Sequence, residues 1–143
     1  MTQISDSTFE DNSEASFSFT YSTVTTTNTT FTKNRVAIMM FRLRQRSNMT
    51  IDGCHFLHND CCPLVSLYSR SNIFISSSDF QNNKCISDQG LLSVSFSLVF
   101  VATILVGGST NKRAADAGFI VGDGADMNIT ASISLKTQVM ATE

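Results

Sequence analysis

Four arginines and a tyrosine carry the clearest chemical signal in the chain. In Met39-Met40-Phe41-Arg42-Leu43-Arg44-Gln45-Arg46 apolar and cationic residues alternate, the period of a strand, so Met39, Phe41 and Leu43 should point to one face and Arg42, Arg44 and Arg46 to the other. Tyr68 lies as far beyond Arg44 as Arg70 does beyond Arg46, about 24 residues in each case, the length of a short solenoid repeat. If the chain repeats at that length, one outer face gathers four guanidinium groups beside an aromatic ring. Guanidinium forks match carboxylates and sulfates, and a tyrosine ring can lie against a sugar, so the face suits a sulfated or uronic polysaccharide. The bland alternative is a solvated strand face that keeps the protein soluble.

Other reactive side chains organise less well. Cys54, Cys61, Cys62 and Cys85 are even in number, and the same interval separates Cys61 from Cys85. One repeat of separation puts these two on neighbouring rungs within bridging distance, so Cys61 to Cys85 is the candidate disulfide of a secreted chain, against reduced thiols in a cytosolic one. Cys54, His55, His58, Cys61 and Cys62 crowd together without a paired metal-binding frame, and alternation sends Cys54 and His55 to opposite faces, so no metal is expected. Asp52, Asp60, Asp79 and Asp88 occupy different repeat positions and stack into no carboxylate pair. The segment Gly118 to Gly124 lacks the lysine and hydroxyl residue of a phosphate loop, and no cofactor is expected. No catalytic residue is assigned.

The repeat itself is visible in four segments: Ser7-Thr8-Phe9-Glu10-Asp11-Asn12, Thr29-Thr30-Phe31-Thr32-Lys33-Asn34, Cys54-His55-Phe56-Leu57-His58-Asn59 and Ser78-Asp79-Phe80-Gln81-Asn82-Asn83. Each reads small residue, variable residue, Phe, two variable residues, Asn. Units this short cannot bury a core alone and must stack. Seven and five residues before each later Phe stand Val24 and Thr26, Met49 and Ile51, and Ile73 and Ile75. After each Asn a second alternating run follows: Phe17, Phe19 and Tyr21; Met39, Phe41 and Leu43; Val65 and Leu67; Leu92, Val94 and Phe96. Two or three short strands per unit, paired in parallel from unit to unit, place Phe9, Phe31, Phe56 and Phe80 in an internal stack. Asn12, Asn34, Asn59 and Asn83 then form a corner ladder that satisfies backbone groups at the bend. A polar binding row is the alternative role for those asparagines.

This pattern resembles the right-handed parallel β-helix of the pectin-lyase-like superfamily, and within it the repeats of polymorphic outer-membrane proteins and of protist surface β-helix proteins. The resemblance is strong over residues 1–90 and weaker beyond. The Gly-Gly-Ala-Ile stretch of the outer-membrane repeats is approached only by Gln89-Gly90-Leu91-Leu92. The resemblance implies an all-β solenoid of about five coils, each of about 24 residues, in a single domain. Regular coils would fill 1–90 and degenerate coils 91–143, with a glycine-rich loop near 107–126. It also implies a structural or adhesive module of a surface or secreted protein, in contact with polysaccharide or surface glycan. A polysaccharide lyase or hydrolase segment is the competing class.

Composition fits. Charged residues make up 15% of the 143 and the net charge is −2, so nothing draws the chain broadly to nucleic acid or an anionic membrane. Residues 91–108 are apolar enough to raise a membrane helix. Every even position from Leu92 to Val106 is apolar, however, while Ser93, Ser95, Ser97 and Thr103 are odd, which favours strand over a membrane anchor. Counting one repeat on from Phe80 lands on Ile104, as though a fifth unit had lost its Phe and Asn. The chain opens in mid-unit with no charged and apolar leader, which suggests a piece of a longer β-helix flanked by further coils. Asn28, Asn48 and Asn128 each begin an Asn-x-Thr triplet, candidate glycosylation sites on the secretory route. The expected address is extracellular or cell surface.

Overall fold

The computed structural model describes residues 1–14, 16–36, 40–61, 63–85, 92–95, 98–101, 104–107, 110–111, 120–123, 126–129 and 134–136, with side chains described up to Ser93 except at Val36, Cys61 and Cys85. Among the described residues every regular element is a short strand, and every pairing is parallel, each coil against the next. Four faces result. The first holds β1 (Thr2–Ser5), β4 (Thr23–Thr27), β8 (Asn48–Asp52), β12 (Asn72–Ser76), β16 (Leu98–Val101) and β20 (Asp126–Ile129). The second holds β2 (Thr8–Glu10), β5 (Thr30–Thr32), β9 (His55–Leu57), β13 (Ser78–Gln81), β17 (Ile104–Gly107) and β21 (Ser134–Lys136). The narrow third face is β6 (Arg35–Val36), β10 (Asp60–Cys61), β14 (Lys84–Cys85) and β18 (Thr110–Asn111). The fourth is β3 (Phe17–Thr20), β7 (Phe41–Arg44), β11 (Val65–Leu67), β15 (Leu92–Ser95) and β19 (Ile120–Asp123). The expected all-β parallel solenoid is thus what the chain forms.

The corners explain the repeat. Between the first and second faces one residue per coil turns left-handed, Asp6, Asn28, Gly53 and Ser77, with φ between 47° and 61°. The small residue that follows closes the bend by donating to the carbonyl two positions back: Ser7 to Ser5 at 2.6 Å, Thr29 to Thr27 at 2.8 Å and Ser78 to Ser76 at 2.6 Å. Cys54 does the same to Asp52 through Sγ at 3.4 Å. The second corner uses Asp11, Lys33, His58 and Asn82, again left-handed, each followed by the repeat Asn. Polar residues tolerate this backbone region better than bulky ones, which is why the corners read as Asp, Asn, Ser and Gly with few exceptions. Between the fourth and first faces the bend is wider. Gln45 and Arg46, then Ser69 and Arg70, are left-handed in succession, and Ser47 and Ser71 donate to the carbonyls of Arg44 and Tyr68 at 2.6 and 2.7 Å.

Inside, the same columns stack. Phe9, Phe31, Phe56 and Phe80 lie face over face with centroids 5.0, 4.9 and 4.8 Å apart and planes within 9°. Phe17 over Phe41 forms a second stack at 5.1 Å that meets the first edge-on. Each such pair adds about 0.5–1.5 kcal/mol beyond simple burial. Val24, Met49, Ile51, Ile73, Ile75, Leu43 and Leu67 complete a dry core.

Four details depart from the sequence pattern. Tyr21 does not continue its strand: it sits in a left-handed corner at φ 51° and is 72% exposed, because β3 ends at Thr20. The fifth Phe position is Val106, opposite Phe80, and not Ile104, which pairs with Ser78; the interval is wider there than in the earlier coils. The even-numbered apolar run is also not one strand. Residues 92–107 hold β15, β16 and β17; Val99 and Val101 take the register of Ile73 and Ile75, and Val106 that of Phe80, so the alternation changes phase between β16 and β17. No helix among the described residues is long and apolar enough to cross a membrane. Lastly, the glycine-rich stretch expected as a loop carries β18 and β19, both in register with earlier coils. Met39 and Phe96, placed by alternation in the second run of their units, lie outside the described residues.

Candidate functional site

The asparagine column is a continuous hydrogen-bond ladder. Asn34 donates through Nδ2 to Asn59 Oδ1 at 3.0 Å and to the Phe9 carbonyl at 2.9 Å, and its backbone N–H reaches the same Oδ1 at 3.1 Å. Asn59 repeats this toward Asn83 and Phe31, and Asn12 engages Asn34 at 2.9 Å. Asn83 donates to the Phe56 carbonyl at 2.8 Å. With Asn34, Asn59 and Asn83 at most 2% exposed, these amides serve the turn and are not offered to a ligand.

The arginine face spans the fourth sheet, which holds Arg42 and Arg44, and the corner beyond it. Arg42 is opposite Ser18 and Ser66, and Arg44 is opposite Thr20. Tyr68 follows Leu67 of β11 and donates its backbone N–H to the Leu43 carbonyl at 2.9 Å, which puts it one rung from Arg44. The Arg42 guanidinium lies over the Tyr68 ring, 5.8 Å from its centroid, a cation–π arrangement. Arg42 is half-buried, and among the described residues neither its Nε nor the Oγ of fully buried Ser66 has a hydrogen-bond partner. Arg44, Arg46 and Arg70 are exposed. Arg46 and Arg70 stand in the wide corner, not in a strand as alternation implied, and the Arg46 N–H to Ser69 carbonyl bond at 3.1 Å keeps the two corners in step. Among the described residues none of these four arginines forms an ion pair.

Two arrangements escaped sequence reasoning. On the outer side of the second face His55 Nδ1 is 2.9 Å from Asp79 Oδ2, both partly exposed; the two residues stand one repeat apart. The second is a groove beside the asparagine corner, a cavity of about 530 Å³ lined in part by Lys33, Arg35, His58, Asp60, Asn82 and Lys84. It forms because the vertex side chain points inward, so the columns before and after it flank an unfilled angle. Asp60 is in register between Arg35 and Lys84. Lys33 is engaged by Glu10 at 2.8 Å, and that carboxylate raises the lysine's pKa. The signal was in the repeat: residues one before and one after each Asn form the two columns.

Elsewhere the carboxylates stay apart in register. Asp52 faces Thr27 and Ser76, Asp60 faces basic residues, and Asp79 faces His55 and Leu105; Asp88 lies outside the described residues. Cys54 is wholly buried and His55 exposed, so one metal could not take both. Burial pushes the Cys54 thiol up from its ordinary value. Cys61 and Cys85 lie in the adjacent strands β10 and β14, with side chains outside the described set, as is Cys62. Asn28 and Asn48 are exposed, each already in contact with a neighbour: Asn28 Nδ2 with Asp6 at 3.4 Å and Asn48 Oδ1 with Asn72 at 2.7 Å. Asn128 is opposite Phe100 in β20.

Comparison with known proteins gives one match, the model described as a right-handed beta helix region, over residues 1–133. No curated protein and no solved structure matches the chain. Stacked Phe and Asn columns, parallel pairing throughout and a match covering most of the sequence agree, and the chain belongs to the right-handed β-helix family.

Proposed function

We propose that this β-helix is a structural, adhesion-type module of a secreted or cell-surface protein, whose arginine face contacts acidic polysaccharide or surface glycan. One observation carries this: the Arg42 guanidinium lies over the Tyr68 ring, and Arg44, Arg46 and Arg70 stand exposed on the same and the adjacent rung, all four without an anionic partner among the described residues. Rungs are about 4.8 Å apart, so like charges in the Arg46 and Arg70 positions repel, by roughly 1 kcal/mol in water before screening. A polyanion relieves that repulsion, and a repeating polymer can engage successive rungs of a repeating surface. Further coils of a longer parent chain would extend the same face. A role as part of a lyase or hydrolase has less support, since no carboxylates face each other in register among the described residues.

Binding is tested by equilibrium affinity for a sulfated and a uronic polysaccharide at low and physiological salt. Arg44→Glu with Arg70→Glu should weaken both at least tenfold, and wild-type binding should fall with added salt. Unchanged affinity in the double variant would remove the arginine face from the proposal. The secreted address is tested separately. Thiol titration of the denatured, unreduced protein should count two free thiols if Cys61 and Cys85 are bridged, and four would sink the bridge.

A further inference from the structure

The groove beside the asparagine corner lies on a different part of the coil from the arginine face and has different chemistry. Its walls are the left-handed corner column, with His58 and Asn82, and the third-face column of Arg35, Asp60 and Lys84. All five residues are exposed, and among the described residues none of Arg35, Asp60 and Lys84 is spent in an ion pair. Lys33, by contrast, is held by Glu10 at 2.8 Å. A wall of cations alone would take any anion. Here a carboxylate sits between two cations, and a purely anionic ligand would meet Asp60 unfavourably.

We infer that this groove is a binding site for a polyol bearing one anionic group, such as a sugar acid or sugar phosphate. The anionic group would be taken by the Arg35 fork and the Lys84 ammonium. Ring hydroxyls donate to the Asp60 carboxylate, which has only acceptor capacity, while the Asn82 amide and the His58 ring supply both donors and acceptors. The volume of about 530 Å³ holds a monosaccharide with water to spare. The rigid floor comes from backbone bonds that run beneath it, Asp60 N–H to Asn34 and Lys84 N–H to Asn59, both 2.8 Å, together with the buried ladder, so the walls are positioned without ligand.

The test uses the chain's two histidines. His58 lines the groove, while His55 is on the second face paired with Asp79, and their ring signals in NMR report groove and background separately. Titration with glucose 6-phosphate or glucuronate should move the His58 signal and leave His55 in place. Glucose and inorganic phosphate should each bind at least tenfold more weakly than glucose 6-phosphate. Asp60→Asn should weaken the sugar phosphate about tenfold, the usual loss for a hydrogen bond to a charged group, and Arg35→Gln with Lys84→Gln should abolish its advantage over glucose. Arg44→Glu with Arg70→Glu should leave these shifts intact, which separates the groove from the arginine face. No His58 shift, equal binding of inorganic phosphate, or full binding in the Arg35 and Lys84 variant would each overturn the assignment.

Discussion

Replacing Asn59 by Ala tests the ladder at its centre. Asn59 is fully buried, and its side chain takes part in four hydrogen bonds. Oδ1 accepts from the Asn34 backbone and side chain at 3.1 and 3.0 Å, and Nδ2 donates to the Phe31 carbonyl and Asn83 Oδ1 at 2.8 and 3.0 Å. Truncation leaves the Asn34 N–H and the Phe31 carbonyl without that partner in a space closed to solvent. At about 1–3 kcal/mol for each buried group left unsatisfied, the loss is about 4 kcal/mol, a large part of the ordinary 5–15 kcal/mol of a domain. With a urea slope near 2 kcal/mol per molar, the midpoint should drop by about 2 M. Asn12→Ala is the control. It loses one side-chain bond, to Asn34 at 2.9 Å, at a half-exposed position, for about 1 kcal/mol. Asn59→Asp sharpens the test: it keeps an acceptor for Asn34 but turns a second oxygen toward two acceptors, so it should be no more stable than Asn59→Ala at neutral pH and recover partly in acid. Equal urea midpoints for Asn59→Ala and Asn12→Ala would refute the ladder's role in stability.

Three further outcomes are expected. Phe56→Ala should cost about 4 kcal/mol, since the ring is fully buried between two neighbours, while Phe9→Ala at the half-exposed end of the stack should cost about half that; urea melts of both decide it. Gly53→Ala should cost about 1 kcal/mol, because residue 53 has φ of 61° and a Cβ there would lie 2.7 Å from Asn28 Oδ1, whereas Ser77→Gly at the equivalent corner should not destabilise. Burial raises the Cys54 thiol above its ordinary value of 9.0. A raised folded value means that this stabilisation is complete below about pH 9 and lost as pH rises through the folded value. Wild type should therefore lose more stability than Cys54→Ser between pH 8 and pH 11, Ser being what Ser7 and Ser78 already place at that corner. Parallel pH profiles for the two proteins would contradict it.

The Phe and Asn columns were legible because each residue type answers a fixed geometric demand, and that demand recurs in every coil. The small residue two before each Phe was visible as a pattern, though its reason, a side chain closing a left-handed bend, needed backbone angles. Periodicity misled where turn length drifts. Phe80 pairs with Val106 and Val65 with Leu92, both wider intervals than the repeat of the earlier coils, so a fixed repeat length gave the wrong partner for Phe80. The run from Leu92 to Val106 spans three strands because its apolar residues also fill the register of exposed positions in the preceding coil, as Phe100 does opposite Phe74, which is 43% exposed. The arginine face was legible because Arg42 and Arg44 alternate with apolar residues in β7 and because Tyr68 and Arg70 recur one repeat beyond Arg44 and Arg46. The corner groove was not, because its walls belong to two columns that only the inward turn of the asparagine brings side by side.

The most direct measurement for the proposed function combines retention and cleavage. Wild type and the Arg44→Glu, Arg70→Glu variant are applied to immobilised sulfated and uronic polysaccharide, and new chain ends are measured in the same samples. Retention of wild type, loss of retention in the variant and no new chain ends is the expected result. New chain ends released by wild type, or undiminished retention of the variant, would contradict it.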